Sequence, residues 1–278
     1  MTLDASLLQR AIPDGSMRYF AWLYTPNEYR DVVAALFLLE SELRDTANAP
    51  HDVAHIRLQW WRDEIERLAN SNAQHPATRV LQTHRNSNVD FSVLDATLRS
   101  TAQDIAHSTY ERDVELNQYL NGQGALFALM AQYLVTDTAG TKHDELPSAA
   151  TQLGALVRHV ELLRDLKADV HHGRLYMPLD ELDKLNIEYE VLESKDWPDA
   201  FVTWLRERCA TIVRQHTQLT QALRASEASV LRPLLVIAAL HVKLLNNLSG
   251  DVKRIINTRL ELGAFTKLWT AWRAATRC

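Results

Sequence analysis

Apolar side chains recur at intervals of three and four residues along most of the chain. In residues 27–48, for example, Val32, Val33, Leu36 and Leu43 follow this spacing. The spacing places apolar side chains on one face of an amphipathic helix. The same pattern predicts the remaining helices, one through residues 56–68 and others at about 76–86, 90–108, 111–136, 146–171, 197–224, 228–249 and 258–275.

Polar residues suggest where several of these helices begin. Asp52, Asp90 and Ser148 precede apolar periodic segments, which is typical of N-cap residues. The stretch 172–196 has no helical periodicity, so we expect a long non-helical segment there, a lid or a wrapping segment; the alternative is helical packing at its ends. No run of alternating residues predicts a strand, and we predict a single all-α domain spanning residues 1–278.

Composition and charge narrow the function. The 278 residues include 8 glycines and 8 prolines, and no glycine-rich phosphate-binding motif occurs. The net charge of −5 is not typical of a nucleic-acid-binding protein, so no nucleic-acid partner is expected. Cys209 and Cys278 form no disulfide or zinc pattern.

No segment is expected to cross a membrane. The apolar run Leu234–Leu240 is far shorter than the roughly 20 residues of a membrane-spanning helix. The first residues show no pattern of a signal or transit peptide. We therefore expect a cytoplasmic protein, at most peripheral to the inner face of a membrane.

Three carboxylates mark the segment most suited to a catalytic or metal-binding site. Glu161, Asp165 and Asp169 are four residues apart, so a helix places them along one face. Like charges at this spacing cost about 0.2–0.5 kcal/mol per pair. Arg158 and Arg164 offset part of that cost, and a bound Mg²⁺ would offset more because it prefers carboxylate and phosphate oxygens. The alternative is a solvated polar helix face without a ligand.

The residues that follow this helix favour a bound ligand over a solvated polar face. Residues 173–178 read Gly-Arg-Leu-Tyr-Met-Pro, so the helix leads into a turn that carries Arg174. An arginine beside an Asp-bound Mg²⁺ can hold a diphosphate, since its guanidinium donates two parallel hydrogen bonds to phosphate oxygens.

The segment from Gly154 to Pro178 resembles the squalene/phytoene synthase family. The family pattern G-x3-Q-x2-[ND]-x2-R-D-x3-[DE]-x4-R-x-[FY]-x-P keeps every spacing here, with Arg158 and Glu161 at two altered positions. Further resemblance lies in residues 16–20, in Pro26 to Arg30, in Trp60-Trp61-Arg62 and in the stretch from Tyr119 to Leu126.

The resemblance implies an all-α fold of the isoprenoid (terpenoid) synthase type, a helical bundle with a central cavity. It implies a transferase that joins two prenyl diphosphates, farnesyl or geranylgeranyl, head to head in isoprenoid biosynthesis with Mg²⁺. The roles it implies for this chain are catalytic for Asp165, Asp169 and Tyr176, substrate-binding for Ser16, Arg30, Arg164 and Arg174, and metal-binding for Asp165, Asp169, Glu161, Asp45 and Glu42.

The first of the family's two Asp-rich motifs is degraded. It aligns with residues 44–48, where only Asp45 remains and where Arg44 and Asn48 replace carboxylates. Glu42, three residues earlier on the same helix face, is the expected substitute ligand, and Glu40 is a weaker candidate. A fixed cation at residue 44 would repel Mg²⁺ unless its side chain turned away.

This departure resembles a divergent branch of the family. The mitochondrial complex I assembly factor with a squalene/phytoene-synthase-like domain has a Lys-Asp pair at the position of Arg44 and Asp45, and a Q-F-W-K run resembling residues 59–62. The resemblance therefore leaves a second hypothesis open. The chain is then a non-catalytic member that binds an isoprenoid or a protein partner, in the manner of a respiratory complex I assembly protein.

Several other features allow two interpretations. The pair His171-His172 binds a metal or stabilises a helix C-terminus. Trp60-Trp61 and Tyr19-Phe20 line a prenyl tunnel or fill the core. Gly122 and Gly124 mark a ligand approach or close helix packing.

The last helix carries an aromatic stripe. Phe265, Leu268, Trp269 and Trp272 share one helix face. The stripe packs on the domain or docks at a membrane surface.

Overall fold

The computed structural model describes residues 2–135, 145–194 and 196–277. They form fourteen α-helices and three short 3-10 helices, with no β-strand in these ranges. The α-helices are α1 (Ala5–Ala11), α2 (Met17–Leu23), α3 (Arg30–Ala47), α4 (His51–Ala69), α5 (Pro76–Thr83), α6 (Leu94–Ile105), α7 (Asp113–Leu134), α8 (Leu146–His171), α9 (Leu179–Leu185), α10 (Tyr189–Glu193), α11 (Asp199–Ala222), α12 (Ala225–Val230), α13 (Arg232–Gly250) and α14 (Ala264–Ala275). The 3-10 helices are Asn27–Tyr29, Phe91–Val93 and Val252–Ile256. The all-α prediction is confirmed.

Helix boundaries agree with the periodicity better than with the proposed caps. α8 begins and ends where predicted. Asp90 caps the 3-10 helix Phe91–Val93 with its side chain, as expected. Asp52 and Ser148 instead lie inside the first turns of their helices, so these two cap predictions are wrong.

The stretch 172–196 is less irregular than predicted. It contains α9 and α10, which are short and amphipathic. α9 begins after Pro178 and ends at Asn186, whose φ of 51° lies in the left-handed region that terminates helices. Such short helices leave too few turns for a periodic pattern to show in the sequence.

α7 and α8 pack tightly against each other. A Cβ at Gly124 would lie 2.2 Å from the Thr151 carbonyl oxygen, and a Cβ at Gly154 would lie 2.8 Å from the Gly124 Cα. The two backbones therefore touch, which only glycine permits. This geometry supports the close-packing interpretation of Gly124.

α13 lies in the core. Among the described residues it is the one helix with the length and hydropathy of a membrane span, but 61 % of its apolar window is buried inside the protein. It packs against α8, α2, α11 and α14. A buried core helix passes the same test of length and composition, so α13 needs no membrane to explain its sequence.

The aromatic residues divide between the core and the surface. Phe20 and Trp61 are buried, as the core interpretation predicts, whereas Trp60 is exposed. α14 packs on the domain against α13 and α2, as predicted, but its aromatic stripe is exposed and takes no part in that packing. Cys209 is a buried free thiol, and Cys278 lies outside the described residues.

Candidate functional site

An open cleft of about 1290 Å³ lies at one end of the bundle. It is bounded by the end of α3, the start of α4, the end of α8 and the segment that begins at Ile255. Its lining residues are Ala47, Asn48, Ala49, His51, Ile105, Ala106, His107, Arg164, Asp165, Lys167, Ala168, Asp169, His171, His172, Arg174, Ile255, Ile256, Asn257, Thr258 and Arg259. Four of the predicted site residues, Arg164, Asp165, Asp169 and Arg174, therefore share one cleft.

Two arginines hold the Asp165 carboxylate. Arg164 Nε lies 2.9 Å from Asp165 Oδ1, and Arg259 donates to both carboxylate oxygens at 2.9 and 3.1 Å. Burial alone would raise the pKa of Asp165, but the hydrogen bonds from the two guanidiniums outweigh it and lower the pKa. Asp165 is thus a charged, fully engaged carboxylate with one cation in excess beside it.

Asp169 lies one turn further along α8, and unlike Asp165 its carboxylate is not held by an arginine from the described part of the chain. Among the described residues, no side-chain hydrogen bond or ion pair reaches its carboxylate. Burial raises its pKa from 3.8 to about 6, and the nearby Asp165 and Asp104 carboxylates add to the rise against the attraction of Arg158 and Arg174. Asp169 can therefore accept or release a proton at a pH near 6.

The turn after α8 places Arg174 across the cleft. Gly173 has a φ of +72°, which reverses the chain at the helix end. Arg174 then donates to Asn48 Oδ1 at 2.5 Å and to the Ala47 carbonyl at 2.7 Å. Its Nε is buried without a hydrogen-bond partner among the described residues. Arg174 therefore joins α8 to the end of α3 while its charge is not cancelled by a carboxylate.

A second, smaller cavity of about 410 Å³ adjoins the cleft, since Arg164 and Arg259 line both. Here Arg44 Nη2 bridges Glu40 and Glu161, each at 2.5 Å, and thereby joins α3 to α8. His241 Nε2 lies 3.6 Å from Glu161. Burial would raise the pKa of Glu161, but Arg44 and the other nearby cations hold it well below its usual range.

The other predicted ligands of the first Asp-rich motif turn to α1. Arg10 contacts Glu42 at 2.7 Å and Asp45 at 2.5 Å. Neither carboxylate lines the cleft or the second cavity. The structure therefore does not bring Glu42 and Asp45 together with Asp165 and Asp169.

Three further predicted residues occupy structural positions. Ser16 lines the second cavity and caps α2 by accepting a hydrogen bond from the Tyr19 amide. Arg30 lies outside both cavities and donates to the carbonyls of residues 23 and 25. Tyr176 donates to the buried Asp104 at 2.6 Å and does not line the cleft.

The residues present do not fit a carboxylate-bound Mg²⁺ cluster. Of the five predicted ligands, four are held by arginine: Glu42 and Asp45 by Arg10, Glu161 by Arg44, and Asp165 by Arg164 and Arg259. Within residues 2–135, 145–194 and 196–277, no group of three or more His, Cys, Asp or Glu side chains is placed to hold a metal ion.

The charge of the cleft suits an anion. Its charged lining residues are four cations, Arg164, Lys167, Arg174 and Arg259, against the two carboxylates Asp165 and Asp169. With histidines neutral, the formal charge is +2. Guanidinium groups bind phosphate through charge-assisted hydrogen bonds.

Sequence reasoning missed Arg10, Lys167 and Arg259. Arg259 lies 94 residues from the carboxylate that it holds, and Arg10 lies 35 residues from Asp45. Helical periodicity carries no information about partners at such separations. Lys167 is on α8 itself, but its sequence position did not show that it lines the cleft.

Comparison with known proteins places these features in a family. A sequence model of the squalene/phytoene synthase family matches residues 14–265. The chain is 23 % identical to the 15-cis-phytoene synthase of a Synechocystis species over 179 residues, which is 60 % of this chain and 53 % of that protein. It is 32 % identical over 73 residues, 26 % of this chain, to the bifunctional lycopene cyclase/phytoene synthase of Neurospora crassa. The chain thus spans about half of the first relative and 12 % of the second.

Solved structures show the same fold at low sequence identity. A crystal structure of a dehydrosqualene synthase in complex with ligand has a TM-score of 0.85 at 13 % identity, covering 98 % of this chain and 95 % of that one. A squalene synthase of Alicyclobacillus acidocaldarius has a TM-score of 0.72 at 14 % identity, covering 90 % of this chain and 96 % of that one. The fold match and the family match over residues 14–265 lead to one conclusion: the chain belongs to the squalene/phytoene synthase family.

Proposed function

We propose that this chain is a prenyltransferase that binds prenyl diphosphates in the arginine-lined cleft and condenses two of them head to head. The observation that carries the proposal is the formal charge of +2 in a large cleft that also has apolar walls. The family match and the dehydrosqualene and squalene synthase folds support a prenyltransferase-like chemistry.

The lining of the cleft offers contacts for both parts of such a substrate. Arg164, Arg174 and Arg259 supply guanidinium donors for the diphosphate. Ile105, Ile255, Ile256 and several alanines offer apolar contacts for a hydrocarbon chain. The volume of about 1290 Å³ exceeds the roughly 300–1,000 Å³ of a usual ligand pocket, which leaves room for more than one substrate.

The arginines also suit the chemistry. In prenyl transfer the allylic C–O bond breaks and its electron pair leaves with the diphosphate. Preorganised cations stabilise the negative charge that develops on the departing group. Arg174 is prepared for this role because no carboxylate among the described residues neutralises it.

One observation favours the alternative, a non-catalytic isoprenoid-binding or assembly-type protein. Arg44 occupies a carboxylate position of the first Asp-rich motif and is bonded to Glu161, another predicted ligand. Residue 44 therefore offers no carboxylate to a metal ion, and Glu161 is held by an arginine. The two functions differ in turnover, and the alternative binds an isoprenoid or a protein partner without converting it.

The test is incubation of the full chain with farnesyl or geranylgeranyl diphosphate, once with Mg²⁺ and once with EDTA. Release of inorganic diphosphate and the hydrocarbon products are measured by a coupled assay and by mass spectrometry. We expect a C30 or C40 product, and weaker substrate binding in Arg174→Gln. Arg62→Gln is the matched control, because Arg62 is an exposed arginine of α4 whose hydrogen bond is to Gln59.

Each outcome is decisive. Binding without product in either condition assigns the non-catalytic alternative and overturns the transferase. Absence of binding, measured with a non-hydrolysable farnesyl thiodiphosphate by calorimetry, overturns the diphosphate site itself. Equal affinity of the wild type and Arg174→Gln would remove Arg174 from that site.

A further inference from the structure

α14 orients its residues against the usual rule for a helix on a protein surface. Ala271 and Ala275 are buried at 0 and 8 % exposure, whereas Phe265 is 79 % exposed and Trp269 is 50 % exposed. Amphipathic helices normally bury their large apolar side chains and leave small or polar ones outside. Here the small residues face the protein and the large ones face outward.

The outward residues form one continuous patch. We call it the aromatic face of α14, and it consists of Phe265, Leu268, Trp269 and Trp272. Leu268 and Trp272 are 50 and 47 % exposed, and the rings of Trp269 and Trp272 lie 5.0 Å apart between centroids. Large contiguous apolar patches on soluble proteins mark interaction sites.

The aromatic face is held outward by the rest of the fold. Ala271 and Ala275 belong to the core cluster that also contains residues of α8, α11 and α13. On the opposite side of the helix, Lys267 lines the second cavity. α14 therefore cannot rotate its tryptophans inward without withdrawing Ala271 and Ala275 from the core.

Charge around the aromatic face favours an anionic lipid surface. Residues 262–277 contain no carboxylate, in a chain whose net charge is −5. Of their three cations, Lys267 lies on the opposite side of α14, so Arg273 and Arg277 supply the positive charge at this surface. Arg273 and Arg277 are exposed. Tryptophan, phenylalanine and leucine beside arginine are typical of helices that lie in the interfacial region of a bilayer. Tryptophan in particular is enriched at the level of the lipid headgroups.

We propose that the aromatic face of α14 docks this protein onto an anionic membrane surface, with Trp269 and Trp272 inserted at the headgroup level. α14 then lies in the plane of the membrane and does not span it. This inference does not depend on the proposed prenyl transfer, because it rests on exposure and charge at a surface outside the cleft.

The experiment is co-sedimentation of the full chain with vesicles of phosphatidylcholine alone and of phosphatidylcholine with phosphatidylglycerol. We expect binding to the anionic vesicles, a blue shift of tryptophan emission, and protection from acrylamide quenching. Raising the salt from about 0.1 M to about 1 M shortens the Debye length from about 10 to about 3 Å and should release much of the bound protein.

Variants assign the effect to the patch. Trp269→Ser with Trp272→Ser should lose most of the vesicle-bound fraction, and Arg273→Gln with Arg277→Gln should lose the preference for anionic lipid. Ile56→Ser is the matched control, since Ile56 is an exposed apolar residue on α4, 71 % exposed. Circular dichroism confirms that each variant keeps its helical content.

Two results would overturn the proposal. Vesicle binding that is unchanged in the double tryptophan variant would place the contact elsewhere. A concentration-dependent dimer, seen by light scattering and abolished by the same variant, would show that a second copy of the chain covers the aromatic face instead.

Discussion

Replacement of Asp169 by asparagine should stabilise the protein, although Asp169 lies in the candidate site. Burial and the neighbouring Asp165 and Asp104 raise the pKa of Asp169 from 3.8 to about 6. A carboxyl group whose pKa is higher in the folded than in the unfolded state binds more protons when folded. Its ionisation therefore destabilises the fold, increasingly as the pH rises from about 4 to about 6 and fully above that.

The size of the effect follows from the shift. One pKa unit corresponds to 1.36 kcal/mol, so two units give about 3 kcal/mol above pH 7 and about half of that at pH 5. Solvent reaches part of the Asp169 side chain and screens the interaction, so we expect a measured gain of about 1–2 kcal/mol for Asp169→Asn at pH 8. The gain should shrink as the pH falls to 4.

Urea unfolding at pH 4, 5, 6, 7 and 8, followed by circular dichroism, measures the difference between the variant and the wild type. Asp165→Asn is the matched control with the opposite sign. Arg164 and Arg259 lower the pKa of Asp165, so its stabilisation is present at neutral pH and is lost on acidification. A gain for Asp169→Asn that is the same at every pH would refute the reasoning, because it would reflect packing and not ionisation.

Three further substitutions probe other contacts. Arg44→Gln should destabilise the fold by about 2–4 kcal/mol in urea unfolding, because it leaves the buried Glu161 carboxylate without its principal partner, and a loss below 0.5 kcal/mol would contradict this. Gly124→Ala should lower the free energy of unfolding by about 2 kcal/mol or more, since a Cβ there meets backbone at 2.2 Å. Gly250 has open space around it, so Gly250→Ala should be neutral or stabilising, and equal effects of the two substitutions would refute the packing argument. Tyr176→Phe should lower the free energy of unfolding by about 1–3 kcal/mol, because the buried Asp104 carboxylate loses its 2.6 Å hydrogen bond and keeps only the 3.4 Å one from Gln123; an unchanged denaturation midpoint would contradict this.

The sequence predicted the architecture well because the fold repeats one local pattern. Amphipathic spacing is a property of neighbouring residues, and α8 was located at both ends from that spacing and from its carboxylates. The short helices α9 and α10 were missed because one or two turns contain too few apolar residues to define a period.

The candidate site was predicted only in part because its contacts are long-range. Asp165, Asp169, Arg164 and Arg174 share a cleft, since one helix and the turn that follows it carry all four. Arg259 reaches Asp165 from a segment near the other end of the chain, and nothing near residue 259 indicates that partner. Ion pairing with arginines therefore occupies most of the carboxylates that the sequence suggests as metal ligands, and these pairings are visible only in three dimensions.

The contact of Arg174 with the end of α3 bears on which forms of the chain can bind a ligand. Its two hydrogen bonds join residues 126 and 127 positions apart in sequence. Closing so long a loop has a large entropic cost, which the native packing of the intervening helices must offset. The cleft is thus a property of the whole folded chain, and a fragment that lacks α3 or the turn after α8 has no cleft. A ligand at a free concentration of 100 times its dissociation constant should then raise the free energy of unfolding of the whole domain by about 2.7 kcal/mol. Binding at one end of the bundle therefore stabilises every helix against unfolding.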